Sequence, residues 1–134
     1  MVLTYKAAQQ IISDVLAELE KRKVHAAIAV ADSHGELMAF LRMEEVKLHS
    51  ITIAANKAWT AARAKKATSE IGKASRDPLK GYDMSFYGDP KYTGFGGGVP
   101  ILHEGKVIGA VAVSGLTQEE DEEVAMMGIK GLKL

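Results

Sequence analysis

The side chains able to do chemistry are few. The chain holds four histidines, His25, His34, His49 and His103, and no cysteine. Thiolate metal sites, disulfides and cysteine nucleophiles are therefore excluded. No two histidines stand three or four residues apart on a predicted helix, so none forms a metal-binding pair. His34 and His103 flank predicted hairpin turns and read as solvent-facing, and His25 opens a strand. His49 stands just before an alanine-rich helix, the best position for facing a pocket; a capping or surface role suits the same position. No serine occupies a G-x-S-x-G elbow, and Ser114-Gly115 does not fit that pattern.

Arg42, at the end of a predicted strand, and Lys57, on or beside a small-residue helix face, are the candidate anion-binding cations. If they converge they form a site for a small carboxylate; apart, they are ordinary surface cations. Gly96-Gly97-Gly98 either presents backbone N–H groups to an anion or turns the chain sharply into Val99-Pro100. No Lys-Ser/Thr follows these glycines, so they are not a P-loop, and a strand rather than a helix follows, so they are not a dinucleotide fingerprint. Asp32 suits the capping of its own turn. The acidic run 119–123 suits the start of a helix, with Asp121 a candidate partner for Arg42, Lys57 or Arg63. Trp59, Tyr82, Phe86, Tyr87, Tyr92 and Phe95 either wall a flat ligand or close an interface between subunits.

The elements that must position these residues follow from periodicity. Residues 4–23 have apolar positions at three- and four-residue steps (Ala8, Ile11, Ile12, Val15, Leu16, Leu19), with Thr4 as N-cap. Residues 26–31 and 37–42 read as two strands joined by a tight turn in which Gly35 supplies a positive φ. Residues 51–67 read as a helix with a narrow alanine face that can lie close to a sheet, capped by Ser50; Thr68 caps a short helix after it. The stretch 77–98 holds six of the 13 glycines and five of the eight aromatics, which predicts a long functional loop packed by its own aromatics. Residues 99–103 and 106–114 read as a second hairpin, in which Gly109 marks a bulge or a close backbone approach. Thr117 to Glu120 forms a capping box opening the last helix. Two hairpins separated by helices predict an α+β fold: a single antiparallel sheet flanked by helices, profilin-like or PAS-like.

The bulk properties bound the function further. A length of 134 residues predicts a single domain, 1–134, large enough to bury a core. Lys plus Arg is 17 and Asp plus Glu is 17, and this balance argues against a nucleic-acid partner. No apolar run reaches the roughly 20 residues of a membrane span. The N-terminus shows no signal-peptide pattern, which predicts a cytoplasmic location and no membrane partner.

Four blocks then resemble one family in order along the chain. They are VADSHGELMAFLRM (30–43), the Lys57 to Ala62 segment KAWTAA, the GGVPI run with the following GKVIG, and VSGLT with the acidic residues after it. Together the blocks resemble the GlcG/HbpS family, described as haem-binding or haem-degrading domains and including the C-terminal domain of PduO-type proteins. The resemblance implies a profilin-like fold, a homo-oligomer (dimer or higher) and binding of haem or a related tetrapyrrole, with no settled catalytic activity. His49 is then the candidate axial ligand, because haem needs only one. Arg42, Lys57, Tyr92, Phe95, Gly96, Gly97 and Gly98 are the candidate ligand-binding residues. Two other readings stand beside this one: a module for a small carboxylate or diol metabolite, and a purely oligomeric interaction protein.

Overall fold

A computed structural model describes residues 2–134. The first helix, α1 (Tyr5–Arg22), starts where the Thr4 hydroxyl accepts the Ala7 N–H and ends at Lys23 in the left-handed region. Ala8, Ile11, Val15 and Leu19 are its buried stripe. Strands β1 (Ala27–Asp32) and β2 (Leu37–Arg42) form the first hairpin. Asp32 Oδ1 accepts the N–H groups of His34 and Glu36, and Gly35 has φ 91°, so the turn is built as its residues predict. Helices α2 (His49–Ala64) and α3 (Thr68–Ser75) follow. A single 3-10 turn, Met84–Tyr87, interrupts the long loop before strands β3 (Gly98–His103) and β4 (Lys106–Ser114) and helix α4 (Gln118–Lys130).

The four strands form one antiparallel sheet in the order β2-β1-β4-β3. The expected α+β architecture is therefore the observed one. Its two layers follow from alternation in the central strands. Ile28 and Val30 of β1, with Val111 and Val113 of β4, face α1 and α4 and form the main core. The intervening Ala27, Ala29, Ala31 and Ala112 face α2, where they meet Ala54 and Ala58. A sheet face of methyl groups against a helix face of methyl groups allows close approach of the two backbones. α2 thus lies tightly on the sheet, and anything it carries is fixed relative to β4.

Three local expectations are corrected. Ser50 is not the cap of α2: the helix starts earlier, after Leu48, which makes no side-chain capping bond, and Ser50 is buried within the first turn. The same helix ends at Ala64 rather than residue 67, because Lys65 turns left-handed at φ 58°. Thr68 is the first residue of α3 rather than its cap; its hydroxyl instead accepts the Gly98 N–H at 3.0 Å, tying α3 to the start of β3. Gly109 fulfils both of its readings. It stands beside a register shift in the β3–β4 pairing, and a side chain there would run into the Ala31 carbonyl.

The capping box of α4 is complete. The Thr117 hydroxyl accepts the Glu120 N–H at 3.2 Å, and the Glu120 carboxylate accepts from the Thr117 N–H and hydroxyl. Replacing Thr117 by Ala is expected to cost about 1 kcal/mol. The loss should appear in a thermal unfolding scan as a fall of a few degrees.

Candidate functional site

One cleft gathers side chains from three elements. The first turns of α2 supply His49, Ser50, Ile53 and Lys57, with Lys47 just before the helix. The end of β4 and its turn supply Ser114, Gly115 and Leu116, and α4 supplies Gln118 and Asp121. Phe95, at the end of the long loop, closes one side. The cleft has a volume of about 220 Å³ and is open to solvent.

The back of the cleft is an ion pair taken out of water. Lys57 Nζ donates to Asp121 Oδ2 at 3.0 Å and to the Val113 carbonyl at 2.9 Å. The two side chains are only 2% and 3% exposed. Asp121 Oδ1 also accepts the Leu116 N–H at 3.0 Å, so the carboxylate holds the turn that forms the cleft wall. Burial pushes the Lys57 ammonium below the usual lysine range and the Asp121 carboxyl above the usual carboxylate range. Their mutual attraction opposes both shifts. The pair thus joins α2, β4 and α4 at one point.

The glycine run serves this pair. A Cβ at Gly97, where φ is 131°, would lie 2.7 Å from Lys57 Nζ and 2.6 Å from the Val113 carbonyl oxygen. A Cβ at Gly98 would lie 2.6 Å from the Lys57 carbonyl oxygen. Two of the three N–H groups offered to an anion are already engaged: Gly96 donates to Gln118 Oε1 at 2.8 Å and Gly98 to Thr68 Oγ1. The run therefore lets the chain pass directly over the buried lysine.

Of the candidate residues, His49, Lys57 and Phe95 meet in the cleft, with Gly97 packed behind the lysine. Arg42 does not join them. It is exposed at the end of edge strand β2 and is absent from the cleft lining. Tyr92 belongs to a different cluster, edge-on to Trp59 at 4.7 Å and tilted against Tyr87 at 4.4 Å, with Arg63 over the Trp59 ring. Asp121 pairs with Lys57 rather than with Arg42 or Arg63. Among the described residues no three His, Asp or Glu side chains cluster closely enough to hold a metal ion, and no helix is long and apolar enough to cross a membrane. Sequence reasoning missed Ser50, Ser114, Leu116 and Gln118. A signal for Ser50 was present: Ser50, Ile53 and Lys57 stand at i, i+3 and i+7, which is one helix stripe.

The fold and this cleft define a small α+β protein with an open cleft floored by a buried lysine–aspartate pair. The chain belongs to the HbpS-like family, described as haem-degrading protein HbpS-like, which it matches over residues 3–130. It is 35% identical over 114 residues to Protein GlcG of Escherichia coli K12, spanning 85% of this chain and 82% of that one. Klebsiella pneumoniae protein ORFY has a similar structure, with a TM-score of 0.90 and 33% identity over 97% of this chain and 92% of that one. The structure of a PduOC:heme complex is similar as well, with a TM-score of 0.92 and 26% identity over 99% of this chain and 96% of that one. The chain spans 40% of the length of the corrinoid adenosyltransferase PduO of Citrobacter freundii.

Proposed function

We propose that this protein binds haem, with one edge of the porphyrin in the cleft and His49 as the axial ligand. The observation that carries the reading is the company His49 keeps: an exposed imidazole on a cleft whose other walls include Ile53, Phe95 and Leu116. An imidazole beside apolar walls is what a haem site requires, and Lys47 offers a cation at the same rim. The residues present therefore fit one edge and one axial position. A cleft of about 220 Å³ takes only part of a porphyrin, so the remaining face is assigned to a second copy of the chain, in a homo-oligomer. Phe95, 53% exposed at the side of the cleft, offers an aromatic surface for such a copy to cover. Bound haem supplies an iron centre capable of redox and oxygen chemistry. The chain's own part is to ligate and to orient. The PduOC:heme complex supports the reading by analogy of fold.

The test is a haemin titration of the purified apo-protein followed by absorbance. A saturable, stoichiometric shift of the Soret band is expected. Replacing His49 by Ala should move that band and weaken binding by at least the roughly 10–100-fold that loss of an outer-shell partner costs a metal site. A titration indistinguishable from free haemin in buffer sinks the reading.

A further inference from the structure

The floor of the same cleft carries two hydroxyls with nothing to bind. Ser50 and Ser114 are 3% and 4% exposed, and both line the cleft. Among the described residues neither hydroxyl takes part in a hydrogen bond, although such bonds are found for the hydroxyls of Thr60, Thr68, Ser69 and Ser75. No fully buried side-chain polar atom among those residues lacks a partner, so these two hydroxyls keep contact with the open space of the cleft. Lys57 lines the same cleft with its ammonium protons only partly engaged, two of the three going to Val113 and Asp121. The one carboxylate on the lining, Asp121, is neutralised by Lys57 and hydrogen-bonded by Leu116. Lys47 adds a positive charge at the rim, with no carboxylate paired to it among the described residues.

We infer that Ser50, Ser114 and Lys57 form a carboxylate subsite at the floor of the cleft. A carboxylate offers only acceptors, and the floor offers two hydroxyl donors and an ammonium donor, with no free acceptor charge to repel it. The carboxylate has two sources, the propionate of a porphyrin or a free small acid. The first rests on the haem reading above; the second does not.

The experiment has two arms, each comparing the wild type with the Ser50→Ala/Ser114→Ala double variant. One arm measures binding of haemin and of haemin dimethyl ester. The other measures the calorimetric binding of lactate and of its neutral counterpart lactamide, at matched ionic strength. A carboxylate preference of about tenfold or more is expected in at least one arm, and the double variant should abolish it. A preference confined to the haemin arm assigns the subsite to a porphyrin propionate, and one confined to the lactate arm assigns it to a free acid. Absence of preference in both arms, absence of binding in both arms, or a preference that survives in the double variant overturns the inference. Failure of haemin to bind at all sinks the haem reading but leaves the lactate arm to decide the subsite. An unchanged melting temperature of the double variant shows that the loss is not one of folding.

Discussion

Replacing Lys57 by Met should leave the protein about 3–5 kcal/mol less stable at neutral pH, the cost of breaking a buried ion pair from one side. Domains of this size are stable by only about 5–15 kcal/mol, so much of the total is at stake. Methionine fills nearly the same volume, and the loss comes from Asp121, which keeps its Leu116 contact but loses its counter-charge. The penalty should depend on pH in a definite direction. Burial already raises the Asp121 carboxyl above the usual carboxylate range with Lys57 in place, and removing the lysine raises it further. A group with a raised folded pKa contributes stability that is fully present below its unfolded pKa and is lost as pH rises through the folded one. The gap between wild type and Lys57→Met should therefore shrink toward acid pH and widen toward neutrality. Urea unfolding midpoints from pH 4 to pH 7 read this directly. The double variant Lys57→Met/Asp121→Leu should recover most of the loss, because two apolar side chains need no desolvation of charge. A single variant as stable as wild type at pH 7, or a gap that widens toward acid, contradicts the account.

The layering of the fold was legible in the sequence because it rests on local rules. Alternating alanine with valine or isoleucine in β1 and β4 predicts strands with one bulky and one small face, and the alanine stripe of α2 is the matching surface. Thr4, Gly35 and the Thr117–Glu120 box act within a few residues of themselves, and each does what its type predicts. The site was legible only in fragments. Lys57 and Asp121 were both singled out, but the hydrophobic pattern does not say which strand is central. That ordering puts β4, with its Val113 carbonyl, between α2 and α4 and leaves Arg42 on the far edge strand β2. A serine before an alanine-rich run has the statistics of an N-cap, which conceals the inward-facing position of Ser50. Here α2 begins earlier and turns that serine inward. Gly96 and Gly98 were read for their N–H groups, and the partners that engage them, Gln118 and Thr68, lie 22 and 30 residues away. Separations of that kind leave no trace in local periodicity.

Gly97→Ala should cost far more stability than Gly105→Ala, although both place a methyl on a glycine of positive φ. Both glycines have positive φ, 131° at Gly97 and 78° at Gly105. Nothing lies within 4 Å of a Cβ built on Gly105, so alanine there meets only the backbone penalty, about 1–2 kcal/mol in the left-handed region. At Gly97 the new methyl would stand 2.6 Å from the Val113 carbonyl oxygen, 2.7 Å from Lys57 Nζ and 2.9 Å from the Asp121 Cβ. Strained backbone costs about 1–3 kcal/mol there, and forcing a methyl into a filled space roughly 1–3 kcal/mol more. The contact is with the members of the buried pair themselves. Making room means moving Lys57 off Val113 or lifting the Gly97 segment away from β4, and either shift opens the enclosure around the buried charges. The loss at Gly97 should therefore be largest near neutral pH and should be partly relieved in the Lys57→Met/Asp121→Leu background, where the methyl no longer competes with an ammonium. Additive losses in that background would mean that the strain sits in the Gly97 backbone alone. Equal losses at Gly97 and Gly105 would mean that the glycine run does not press on the lysine.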